Sequence, residues 1–147
     1  MDSSPNGISI DVTSWPIVGF TLRGAITDDE FERLFVEVEK YWRRGDRFLT
    51  ITDTRAAANA SARQRQRIGE WMKENQASIR QTSIGSIVIL QSVIVRGALT
   101  AINWIAQPEL PPEYAKDWAQ ASELATRMLE RHDMLTDKLR LRLQRLA

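Results

Sequence analysis

Apolar and polar residues alternate through Ile8-Ser9-Ile10-Asp11-Val12, and this period of two predicts a first strand. A second strand is predicted over Ile17-Val18-Gly19-Phe20-Thr21-Leu22-Arg23, ended by Gly24. The link through Trp15-Pro16 is short enough to pair the two as a hairpin. The pattern then changes to a helical period. Phe31, Leu34, Phe35 and Val38, with Tyr41 or Trp42, fall on one stripe. Thr27 and Glu30 have the spacing of a capping box, and Ile26 with Phe31 suits the hydrophobic staple around it. Acids at 28–30, Arg43 and Arg44 match the helix dipole, and Gly45 follows as the terminating residue.

Residues 48–52 predict a third, buried strand that stops at a turn, Asp53-Thr54-Arg55. A small-residue loop over 56–60 follows. Ser61 and Gln64 mark a second capping box, opening one helix over about 62–80 with Ile68, Trp71, Met72 and Ile79 inward. The apolar run at 86–90 suits a central strand covered on both faces. Ser92 can cap a helix over 93–105, although its β-branched start also allows the strand to extend to Val95. Gly97 inside that helix is expected to permit close packing on the sheet. After Pro108, Pro111 and Pro112, residues 113–116 form a candidate edge strand. Asp117 caps a long final helix. Its apolar positions Trp118, Ala121, Ala125, Met128, His132, Leu135 and Leu139 recur at three- and four-residue steps, as in a heptad seam. A break near Asp133 would divide it in two.

This rhythm predicts an α/β fold with a mixed four- to five-stranded sheet, flanking helices and a long C-terminal helix. Right-handed crossovers make the strands after the hairpin parallel. The expected organisation is a flexible N-terminus (1–7), one domain (8–131) and a C-terminal helical extension (132–147).

With 147 residues, 43% hydrophobic and 27% charged, the chain is of ordinary globular composition and fits one domain. A net charge of +1 gives no argument for nucleic acid or an anionic membrane. The absence of cysteine excludes disulfides, thiolate metal sites and a cysteine nucleophile, and suits a reducing compartment. The first residues have neither the basic nor the apolar region of a secretory signal, so a cytoplasmic location is expected. The apolar stretch 84–106 approaches the length of a spanning helix, but Arg96 at its centre would cost roughly 2.5–3.5 kcal/mol in a bilayer. A buried strand, a turn and a helix are expected instead, with no transmembrane segment.

Candidate chemistry is sparse. The only histidine, His132, sits on an apolar stripe, so no catalytic triad assembles. No cofactor is implied, because there is neither a GxGxxG motif nor a P-loop. Asp28, Asp29 and Glu30 open a helix, where acids are expected, and no metal site is read from them. Arg63, Arg65 and Arg67 spread around a helix start and do not concentrate into a nucleic-acid-binding face. Arg96 should lie near the Asp53 turn at the carboxyl edge of the sheet, where a charge near buried surface needs a partner. Asp53, Thr54, Arg55 and Arg96 are therefore the binding-surface candidates. Met128, His132, Leu135 and Leu139 are candidates for a homodimer or partner contact, with packing of the tail back on its own domain as the equal alternative.

Several segments together resemble the SpoIIAA-like (STAS-like) domain family, relatives of the anti-sigma-factor antagonist fold that are also likened to the SEC14 lipid-binding fold. They are Gly24-Ala25-Ile26-Thr27, the strand 48–52 ending at Asp53, the run 87–90 followed by Val95-Arg96-Gly97-Ala98-Leu99-Thr100-Ala101, and Trp118-Ala119-Gln120-Ala121. The resemblance covers roughly residues 8–130. It implies a non-catalytic regulatory module acting through protein–protein contacts in bacterial signalling. It also makes Thr54 a candidate phospho-acceptor. Antagonists have a pattern like Asp-Ser-Ser-Gly-Leu-Gly there, whereas this chain reads Asp53-Thr54-Arg55-Ala56-Ala57 and lacks the glycines. The alternative function is a small-molecule or lipid carrier, with a pocket between the sheet and the helix over 93–105.

Overall fold

A computed structural model describes residues 6–147. The strands are β1 (Gly7–Asp11), β2 (Ile17–Gly24), β3 (Phe48–Ala57), β4 (Ser83–Ile89) and β5 (Glu113–Ala115). The helices are α1 (Asp28–Arg44), α2 (Ala62–Glu74), α3 (Gln76–Thr82), α4 (Val93–Ala106), α5 (Trp118–Arg131) and α6 (Asp137–Leu146). The expected flexible N-terminus falls mostly on residues 1–5, outside the described residues; Gly7 already opens β1.

The five strands lie in chain order, β1-β2-β3-β4-β5. The hairpin β1/β2 is antiparallel, and every later neighbour is parallel. Three parallel crossovers therefore step in the same direction across the sheet. With a common right hand, they place α1, α2, α3 and α4 on the same face. The other face is left for α5 and α6. Strand order never reverses among the described residues, so the sheet they form has no topological switch point of the kind that hosts ligands in doubly wound sheets.

Two cores fill the two faces. The α5/α6 face is aliphatic: Leu49, Ile51, Ile87 and Ile89 meet Ala121, Ala125, Leu129 and Leu143. The small residues of α5 let it sit close on β4, and Gly85 gives Met128 its space; a Cβ there would lie 2.5 Å from the sulfur. The α1/α2 face is aromatic. Phe35 stacks on Trp71 at 4.3 Å, Trp42 on Trp71 at 5.0 Å, and Trp15 contacts Phe48 at 5.4 Å.

Capping chemistry sets several helix ends. Thr27 Oγ1 accepts from the Glu30 N–H at 3.2 Å, and Gly45 terminates α1 at φ 78°. Ser61 and Gln64 complete both halves of their box. Gln64 also donates to the Ile26 carbonyl and to Asp28, tying the starts of α1 and α2 together. Ser92, Asp117 and Thr136 cap α4, α5 and α6. β4 ends at Ile89 and α4 begins at Val93, so the strand does not extend to Val95.

Three expectations are corrected. The Asp53-Thr54-Arg55 turn does not exist: β3 runs on to Ala57, held by pairing of Ala56 and Ala57 with Arg23 and Gly24 of β2. The helix expected over 62–80 breaks at Asn75, whose side chain donates to the Trp71 carbonyl at 2.7 Å, and continues as α3. Gly97 faces open space; the glycine that brings helices together is Gly69, where a Cβ would lie 2.6 Å from Ile105 Cβ. The final helix does divide near Asp133 (φ 58°), as the sequence allows, and α6 packs beside α5. Met128 and Leu139 are thereby buried in the protein's own core, and Leu135 packs against it. No helix among the described residues is long and apolar enough to cross a membrane.

Candidate functional site

Side chains alternate across β3 with a period of two. Leu49, Ile51 and Asp53 point to the α5/α6 side. Thr50, Thr52 and Thr54 point the other way, into a cavity under the helical layer. Three threonines on one face of a central strand leave that face short of apolar bulk. On β4, Ser86 pairs with Thr50 and extends the same hydroxyl surface.

The helices above do not close this gap. The backbone of α4 packs mainly on α2 at the Gly69 contact, whereas α5 lies directly on β4 and β5. The residues that α4 turns inward, Val95, Ala98 and Ile102, are modest in size. A cavity of about 290 Å³ remains between α1, α2, α4 and the sheet. Phe31, Phe35 and Trp71 form its aromatic wall, Phe20 and Leu22 its β2 side, and Thr50, Thr52 and Ser86 its floor. Among the described residues, no charged side chain lines it.

The residues singled out in the sequence lie elsewhere or do other work. Asp53 is buried on the α5 side and is bound by Arg55, its neighbour two positions along the same strand face. The Arg55 Nε and Nη2 donate to the carboxylate at 3.0 and 2.9 Å, and its backbone N–H donates at 3.1 Å. Burial alone would raise the Asp53 pKa. The hydrogen bonds from Arg55 outweigh it and hold the carboxyl below its ordinary value. Thr54 is 5% exposed, and its hydroxyl donates to the Ile89 carbonyl at 2.7 Å, joining the ends of β3 and β4.

Arg96 does not meet Asp53. It is exposed on α4, and its guanidinium lies 5.1 Å from the Tyr114 ring centre. The sheet separates the two groups. Arg65 and Arg67 are engaged locally: Arg65 donates to the Ala60 carbonyl, and Arg67 forms two hydrogen bonds with Glu32. His132 sits at the C-terminal end of α5, where burial and the neighbouring charges of Arg47 and Arg131 lower its pKa. It has no place in the cavity lining. Among the described residues, no group of three or more His, Asp or Glu side chains is placed to hold a metal ion.

Thr50, Thr52 and Ser86 are not among the sequence candidates, because a strand covered on both faces does not by itself say which face borders a cavity. The signal was present: Leu49-Thr50-Ile51-Thr52-Asp53-Thr54 alternates, although the sheet is expected to be covered on both sides.

No family model matches the chain, and no curated protein matches it. It is similar to the crystal structure of an uncharacterized protein of the DUF3478 family with a SpoIIAA-like fold, from Shewanella loihica PV-4. The two are 15% identical, the match covers 85% of this chain and 98% of that one, and the TM-score is 0.62. The five-stranded mixed sheet with its flanking helices is a SpoIIAA-like fold.

Proposed function

We propose that this protein is a non-catalytic binding module that holds a small, mainly apolar molecule in the cavity beneath α4. The observation that carries this reading is the cavity itself: about 290 Å³ of space, walled by aromatic and aliphatic side chains. Ligand sites are concave and largely apolar, with a few placed polar groups. A non-catalytic role is supported by the location of the only histidine outside the lining and by the lack of charged groups within it.

The fluorescent probe 1-aminoanthracene tests the reading. Its emission should rise on binding the wild-type protein. Ala98→Phe should abolish the rise by filling the cavity, with a thermal melt confirming that the variant is folded. An equal rise in both proteins would contradict the assignment.

A regulatory protein-interaction role is the second reading. It is favoured by the outer face of α4, where Val93, Ile94 and Trp104 are 82%, 63% and 81% exposed. Exposed apolar clusters on a protein surface mark interaction sites. Affinity capture with wild type and Trp104→Asp tests it; a partner retained by both proteins would count against this face.

A further inference from the structure

Resting on the ligand-binding reading above, we infer that the cavity selects an uncharged ligand with one hydroxyl or carbonyl end, and rejects carboxylates and phosphates. Three observations carry the inference.

The first is the absence of charge. No Lys, Arg or His lines the cavity among the described residues. An ionised head group would lose its water without gaining a counter-ion, and burying an unpaired charge is costly. At the bordering helix starts, the N–H of each residue that lines the cavity is already bonded. The Val95 N–H of α4 is taken by Ser92, and the Gln64 N–H of α2 is taken by Ser61.

The second is the state of the floor. Thr54 spends its hydroxyl on the Ile89 carbonyl. The hydroxyls of Thr50, Thr52 and Ser86 have no hydrogen-bond partner among the described residues. Thr50 and Ser86 are cross-strand neighbours, and Thr52 follows Thr50 on the same face. Each hydroxyl can both donate and accept. Together they match a neutral oxygen, which also does both or only accepts.

The third is size and shape. A cavity of ~150 Å³ accommodates benzene. Twice that space suits a compact molecule of about ten to twelve heavy atoms on the same scale. The Phe35–Trp71 stack gives this space a flat aromatic wall. A bicyclic or short-chain alcohol or ketone fits; a diacyl phospholipid does not.

The test compares 2-naphthol, 2-naphthoate and naphthalene by calorimetric titration of the full chain at pH 7.5, where the first is neutral and the second is an anion. The inference expects 2-naphthol to bind at least tenfold tighter than 2-naphthoate and several-fold tighter than naphthalene. Thr52→Val and Ser86→Ala should each reduce 2-naphthol affinity toward that of naphthalene and leave naphthalene unchanged. Both are small changes, and circular dichroism checks their folding. If 2-naphthoate binds as tightly as 2-naphthol, the charge selection is overturned while the binding reading stands. If naphthalene matches 2-naphthol, the role of the floor hydroxyls is overturned. If none of the three binds, the binding reading itself fails.

Discussion

Asp53 and Arg96 lie on opposite faces of the sheet. Asp53 points toward α5 and is gripped by Arg55, while Arg96 rides on α4 over Tyr114. Along the chain, both lie toward the carboxyl ends of neighbouring strands, Asp53 in β3 and Arg96 just beyond β4. What separates them is parity. Position 53 shares its face with 49 and 51, whereas the crossover helices all stack on the face of 50, 52 and 54.

The Asp53–Arg55 pair should respond asymmetrically to truncation. The Asp53 side chain is 11% exposed and that of Arg55 33%. Arg55→Ala strands a buried carboxylate and is expected to cost about 2 kcal/mol. Asp53→Ala lets the arginine turn to water and should cost about 1 kcal/mol. Arg96→Ala should fall within about 0.5 kcal/mol of wild type. Urea denaturation of the three variants checks the order; equal losses at 53 and 96 would restore the pairing first expected.

Acid should erase the contribution of Asp53. Its folded pKa is depressed, so its stabilisation is fully present above the unfolded value of about 3.9. It is lost as pH falls through the folded value. The stability gap between wild type and Asp53→Asn should be constant from pH 7 to about pH 5 and close below it. Denaturation at stepped pH measures the gap, and a gap that widened on acidification would contradict the assignment.

Two helix glycines should behave oppositely. Gly69→Ala drives a methyl into Ile105 and the Ile102 carbonyl, so it should destabilise by about 1–2 kcal/mol despite better helix propensity. Gly97→Ala meets no atom within 4 Å and should stabilise by up to about 1 kcal/mol. Thermal melts of the two variants decide between this arrangement and close packing at Gly97.

The C-terminal helix should behave as core. Leu143 is 1% exposed between the sheet and α5. Leu143→Ala is expected to cost about 2–4 kcal/mol, with unchanged mass in light scattering. A loss of dimer without loss of stability would return this helix to the role of an oligomer contact.

Much of the fold was legible because its signals are local. The caps at Thr27, Ser61, Ser92 and Asp117, and the stop at Gly45, each involve residues within a few positions. The hairpin and the parallel strands followed from element order. The heptad-like stripe of the last helix was correctly read as apolar, but a stripe does not say what covers it; Asp133 turns the chain so that the protein's own sheet does. The end of β3 is hidden in the sequence because Asp-Thr-Arg has turn chemistry in isolation. Its strand state depends on distant partners, Ile89 and Gly24. The place of the cavity, between the sheet and the helix over 93–105, was legible as the alternative reading; its size and lining were not, because they depend on how far α4 stands from the sheet, and no residue encodes that distance alone.

The cavity assignment is tested most directly by titrating the ¹⁵N-labelled protein with 2-naphthol and following backbone amide shifts. Shifts concentrated at Thr50, Thr52, Ser86, Trp71 and Ala98 are expected, with Val93 and Trp104 unmoved. Shifts confined to the outer face of α4, or none at saturating ligand, would contradict it.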